Sequence, residues 1–126
     1  MSMNDWKILL VDDEEEFVST LAERLSLRGI ECRVAKDGEA GLAMIDQDQP
    51  DVVVLDMFMP GLKGNEVLRR IKERHPRVQV ILLTGQGATK DAMEGMRLGA
   101  VDYMIKPLSI DELTAKIGEA VKAARK

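Results

Sequence analysis

Three aspartates, a threonine and a lysine stand directly after short apolar runs, although they are spread over most of a 126-residue chain. Asp12 and Asp13 close "ILLV", Asp56 closes "VVVL", Thr84 closes "VQVILL" and Lys106 closes "DYMI". Three carboxylates brought together raise one another's protonation unless a divalent cation holds them ionised. An all-oxygen ligand set of this kind suits magnesium, which favours one or two carboxylates plus water and phosphate oxygens. An aspartate oxygen can attack a phosphoryl group while a cation and a hydroxyl stabilise its equatorial oxygens. The five side chains are thus of the types an acyl-phosphate site needs. Asp56 would be the nucleophile, Asp12 and Asp13 would face the metal, and Thr84 and Lys106 would meet the phosphoryl oxygens.

The acids at the first of these ends run further, as "DDEEE". Glu14, Glu15 and Glu16 read as a solvated first helical turn, where carboxylates complement the positive end of the helix dipole. That leaves Asp12 and Asp13 for the site.

Such residues meet only if the elements around them put all the apolar runs in one sheet with their carboxyl ends together. Short apolar runs alternate with longer amphipathic ones from end to end, the pattern of βα units in a parallel sheet. Five strands are predicted, Lys7 to Val11, Glu31 to Ala35, Val52 to Leu55, Val78 to Leu83 and Val101 to Ile105. "VVVL" and "VQVILL" are apolar almost throughout, as in strands covered on both faces. Right-handed crossovers bring the carboxyl ends to one edge, where open α/β sheets bind ligands.

The first helix places Phe17, Leu21 and Leu25 on its inner face and stops at Gly29. The second follows the N-cap residue Asp37 and ends before Pro50; the third puts Val67, Leu68 and Ile71 inward and runs into Pro76. The last starts at "SIDE" with capping-box spacing and buries Ile110, Leu113, Ile117 and Val121. The fourth, "TKDAMEGMRLGA", is expected to be weak and mobile, because its interior Gly95 costs about 1 kcal/mol relative to alanine.

The chain has room for one domain, residues 1–126, which reads equally as a stand-alone unit or as one cut from a longer protein. With 45% hydrophobic and 32% charged residues it is expected to fold as a soluble globule. A net charge of −4 offers no basic field for phosphate backbones, so direct nucleic-acid binding is not expected. "MSMNDWKILL" lacks a signal pattern and no apolar run reaches the roughly 18 residues of a membrane span, so the chain reads as cytosolic. Cys32 reads as a small buried hydrophobe, His75 as a solvated cation at a helix end, Trp6 as a packing residue away from the crevice, and "KAARK" as a helix end.

The motifs "LLVDDE", "DVVVLDMFMPGLKG", "ILLTG" and "DYMIKP", in this order and covering essentially the whole chain, resemble the response-regulator receiver domains of bacterial two-component signalling. The resemblance implies a flavodoxin-like doubly wound (βα)5 fold with sheet order 2-1-3-4-5. It implies that Asp56 accepts a phosphoryl group from a sensor histidine kinase or phosphotransfer protein. Asp13, Asp56 and the Phe58 carbonyl would bind Mg2+ directly, with Asp12 acting through water. Lys106, before a cis bond to Pro107, would contact the phosphoryl group, and Thr84 and Tyr103 would form a switch pair. The signal would leave through the face of the fourth helix, fifth strand and fifth helix, near Met93, Met96 and Met104, to an output domain or target protein. A homodimer on phosphorylation is left open. In this reading the chain is regulatory, assisting its own phosphoryl transfer and dephosphorylation. Two positions depart from the usual pattern: bulky Phe58 stands where a polar group is common, and Gly85 where alanine is common. The Phe58 ring is expected to shield an acyl-phosphate from water.

Rival chemistries fit less well. A phosphohydrolase of the haloacid-dehalogenase type wants an acid where Phe58 stands, and a cap domain. A binder of flavin phosphate wants hydroxyls and backbone donors where "DDEEE" repels phosphate. A degenerate scaffold would have no use for all five site residues.

Overall fold

The alternation resolves into β1 (Ile8–Val11), α1 (Glu15–Leu27), β2 (Cys32–Ala35), α2 (Gly38–Gln47), β3 (Val52–Asp56), α3 (Gly64–Arg74), β4 (Gln79–Thr84), α4 (Thr89–Arg97), β5 (Asp102–Ile105) and α5 (Ile110–Ala124). This computed structural model describes residues 5–126; residues 1–4 of the amino-terminal stretch read above for a signal pattern lie outside the described residues. All five strands are parallel, in the order β2-β1-β3-β4-β5, the flavodoxin-like arrangement.

Successive residues of each strand point to opposite faces, so a run such as "VVVL" feeds two cores. On one face Leu9, Val53, Leu55 and Leu82 pack with Leu42 and Ile45 of α2, Val67, Leu68 and Ile71 of α3 and Ala92 of α4. On the other, Leu10, Val54 and Ile81 meet Val18, Leu21 and Leu25 of α1 and Leu113, Ile117 and Val121 of α5. Each large side chain fully buried in this way contributes about 1.5–3 kcal/mol.

Helix ends follow local chemistry. Asp37 accepts the Ala40 N–H at 2.8 Å, and Ser109 accepts the Glu112 N–H at 3.2 Å. α1 stops where Gly29 takes φ +83°, with Gly29 N–H on the Ser26 carbonyl and Ile30 N–H on the Leu25 carbonyl.

Several expectations are corrected. Asp56 and Thr84 lie within the ladder as its last paired residues, aligned with Leu83 and Ile105, because pairing continues to the carboxyl edge. The buried stripe of α1 is Val18, Leu21 and Leu25; Phe17 sits half-buried beside it, as does Ile110 at the start of α5. Cys32 is half-buried on the edge strand, where desolvation pushes its thiol up to about 12. His75 is not a free solvated cation: its ring nitrogens meet Asp46 at 2.7 Å and Gln49 at 3.2 Å, tying the end of α3 to α2. The "KAARK" tail is a helix end as expected, α5 closing at Ala124, and its Arg125 also reaches Asp51 at 2.8 Å. Gly95 is a contact rather than a flaw, since a Cβ there would overlap the Leu82 side chain. Trp6 packs as expected, half-buried against Gly118 of α5, where a Cβ would stand 3.2 Å from the indole.

Candidate functional site

Strand order decides which ends become neighbours. β3 lies between β1 and β4, so Asp56 has the β1–α1 turn on one side and Thr84 on the other. Asp56 is 4% exposed, Asp12 and Thr84 are each 2% exposed, and Asp13 is exposed to solvent. Carboxylate oxygens of Asp12, Asp13 and Asp56 all lie within 4.8 Å of one another. The Lys106 backbone N–H bonds the Thr84 carbonyl at 2.8 Å, and its side chain crosses the carboxyl edge toward β1. The Lys106–Pro107 peptide is cis, as the resemblance implied.

Each group at the floor of the crevice has defined partners. Asp56 Oδ1 accepts the Phe58 N–H at 3.2 Å, and its Oδ2 stands 3.7 Å from Lys106 Nζ. Asp12 Oδ1 accepts the Glu14 N–H at 2.9 Å while its Oδ2 accepts from Lys106 Nζ at 3.0 Å. Lys106 also donates to Glu14 Oε1 at 2.8 Å and lies 4.1 Å from the centroid of the Phe17 ring. Gly64 lets α3 begin directly against the acceptor: a Cβ there would lie 2.6 Å from Met57 Cα and 2.8 Å from the Asp56 carbonyl.

Electrostatics follow from burial. Desolvation, then the charge of Asp12 and to a lesser extent Asp13, raise Asp56 to about 6, against the pull of Lys106 and the Phe58 N–H. Burial opposes the Lys106 ammonium, but its bonds to Glu14 and Asp12 and the charges of Asp56 and Asp12 outweigh that, and its pKa is raised. Three clustered oxygen donors, one pushed toward protonation by its surroundings, fit a hard divalent cation such as magnesium.

The sequence-predicted residues Asp12, Asp13, Asp56 and Lys106 therefore meet, with Thr84 at the adjacent strand end. Phe58 flanks the crevice and is 52% exposed. Tyr103, aligned with Leu82, packs half-buried on the sheet face that Thr84 shares. Met93 and Met96 are exposed on α4, as are Val101 just before β5 and Ile105 at its end, whereas Met104 is buried in the opposite core. Glu14, Phe17 and Gly64 stand outside the set predicted from sequence. Only the spacing of Glu14 and Phe17, which share one side of a helical turn, hinted that they act together.

Comparison with known proteins shows the family and the fold. The family model described as "Response regulator receiver domain" matches residues 8–118. The chain is 43% identical over 111 residues to the transcriptional regulatory protein CpxR of Klebsiella pneumoniae, covering 88% of this chain and 47% of that protein. The chain thus spans about half the length of the curated relatives it matches. Among solved structures, the receiver domain of NtrX from Brucella abortus superposes with a TM-score of 0.87 at 36% identity, covering 91% of this chain and 98% of that one. A response regulator receiver domain protein from Clostridium thermocellum gives 0.91 at 34% identity, covering 95% and 97%.

Proposed function

The chain belongs to the response regulator receiver domain family, and from that premise we propose that Asp56 is its phosphoacceptor. The observation that carries this is the placement of Asp56: a buried carboxylate at the end of the central strand, with two further carboxylates within 4.8 Å and an ammonium at 3.7 Å. The donor is a phosphohistidine of a sensor kinase or phosphotransfer protein. An Asp56 oxygen attacks phosphorus, the bond from phosphorus to the imidazole nitrogen breaks, and the imidazole leaves with the electron pair. Asp56, Asp13 and the Phe58 carbonyl would hold Mg2+, with Asp12 acting through water. When bound, the ion neutralises charge on the transferring oxygens. Lys106 and Thr84 hydrogen-bond the phosphoryl oxygens, and the same groups assist hydrolysis of the acyl-phosphate.

Two new charge-assisted bonds, to Thr84 and Lys106, supply about 3–6 kcal/mol. Driving a two-state equilibrium from 1:99 to 99:1 takes about 5.5 kcal/mol, which only the upper end of that range meets; the lower end gives a partial shift toward the switched state. Thr84 drawn toward the phosphoryl group frees space on the sheet face it shares with Tyr103. The Tyr103 ring moves into it and repacks the face of α4, β5 and α5. That face is the output surface, for a partner protein, an output domain or a second copy. Residues 1–126 act as one receiver unit working in the cytoplasm, and any contact with DNA belongs to another segment. No helix among the described residues is long and apolar enough to cross a membrane.

The test is intact mass after incubation with magnesium and acetyl phosphate, beside Asp56→Asn. A single phosphoryl increment, labile to hydroxylamine and absent from the variant, is the expected result. No increment in the wild-type chain would refute the assignment.

A further inference from the structure

If Asp56 is the acceptor, the ammonium of Lys106 has to reach a phosphoryl oxygen, and in this structure it is already engaged. An ammonium has three N–H donors. Two are taken by Asp12 Oδ2 at 3.0 Å and Glu14 Oε1 at 2.8 Å, and the Phe17 ring covers it at 4.1 Å from the centroid, well inside cation–π range. Asp56 Oδ2, at 3.7 Å, is beyond hydrogen-bond length. We infer that Glu14 and Phe17 are positioning residues that park Lys106 beside the acceptor, and that Glu14 is the partner exchanged for a phosphoryl oxygen.

Local geometry makes the parking place stiff. Glu14 caps α1: its N–H is held by Asp12 Oδ1 at 2.9 Å and its carbonyl accepts the Val18 N–H at 3.0 Å, so its side chain springs from a backbone fixed on both sides. Phe17 follows at i+3 and shares its side of the helix. All three anchors of the ammonium therefore come from the single segment Asp12 to Phe17, while the lysine arrives from the far end of the sheet.

Burial decides which anchor gives way. Asp12 is almost fully buried, and with the cation at one water's remove, breaking its pair would leave a buried carboxylate without a direct charged partner. The Glu14 side chain is 60% exposed, so water takes over when it lets go, and the exchange costs little. The Phe17 ring has no such alternative to offer and keeps the stem on one arc as the ammonium moves. Glu14 is then a competitor whose grip on Lys106 sets how readily the lysine is handed over.

This inference rests on the phosphoacceptor reading, and the experiment separates the two. The rate of phosphoryl uptake from acetyl phosphate is measured for wild type, Glu14→Gln, Lys106→Ala and the double variant. Lysine side-chain NMR of the unphosphorylated wild type, Glu14→Gln and Phe17→Leu is recorded alongside. Glu14→Gln keeps the size of the side chain but removes the charge, and is expected to speed uptake about two- to fivefold, the scale of an exposed ion pair. That gain should vanish in the Lys106→Ala background. The Lys106 methylene protons next to the ammonium should be shifted upfield by the Phe17 ring, and Phe17→Leu should abolish the shift without lowering the urea midpoint enough to indicate unfolding. An equal gain with and without Lys106 would mean that Glu14 merely repels the donor, and would overturn the hand-over. So would an absent gain in a wild type that is readily labelled, or a Lys106 signal indifferent to Phe17→Leu. An unlabelled wild type would sink the phosphoacceptor reading itself, and the hand-over with it.

Discussion

Replacing Asp56 with asparagine should make the metal-free protein more stable, and only at neutral pH. In the folded chain Asp56 holds its proton up to about pH 6, whereas the ordinary carboxylate value is 3.8. Between those values the folded state binds more protons than the unfolded state, so rising pH favours unfolding. The stability linked to this group is fully present below the unfolded value and is lost as pH rises through the folded one. The gap from 3.8 to about 6, at about 1.36 kcal/mol per pH unit, bounds the loss at about 3 kcal/mol. Asparagine keeps an oxygen for the Phe58 N–H and carries no charge to desolvate. It forfeits the attraction to Lys106 at 3.7 Å, but that ammonium retains Asp12 and Glu14. Asp56→Asn is therefore expected to gain about 1–3 kcal/mol near pH 7.5 and almost nothing near pH 4. Urea unfolding followed by circular dichroism in EDTA, at a series of pH values, measures this directly. An equal gain at both ends of the series, or a loss near pH 7.5, would refute the account of Asp56 as a carboxylate strained by burial and by Asp12.

Gly95→Ala gains about 1 kcal/mol of helix propensity but drives a methyl group into Leu82, and overpacking of this kind costs about 1–3 kcal/mol, so a lower urea midpoint is expected. An unchanged or higher midpoint would restore the view of Gly95 as a weak point in α4. Asp37→Ala removes the side-chain acceptor for the Ala40 N–H and should cost about 0.5–2 kcal/mol, read as the shift in a thermal or urea transition. Phe58→Asn should shorten the lifetime of the phosphorylated form, followed by loss of the mass increment with time; an unchanged decay rate would mean that the exposed ring does not shield the acyl-phosphate.

What the amino-acid order determined by itself is whatever depends on neighbours in sequence. Burial stripes, caps and glycine stops are local, so the α2 boundaries, the Asp37 and Ser109 caps and the Gly29 stop are legible in the sequence. Parallel crossovers send every strand's carboxyl end to one edge, which is enough to gather Asp12, Asp56, Thr84 and Lys106 from distant positions. Tertiary structure decided what those residues touch. That Lys106 rests on Glu14 and Phe17, that His75 reaches Asp46 and Gln49, and that Gly95 makes room for Leu82 are contacts between segments far apart in the chain. Glu14 shows the difference most plainly. In sequence it is one of five like charges and reads as solvated; in space it is a partner of the one ammonium that the acceptor needs, because the sheet order carries Lys106 back across the edge to β1. Charge and spacing specify which groups are available, and only the folded path of the chain sets which of them compete.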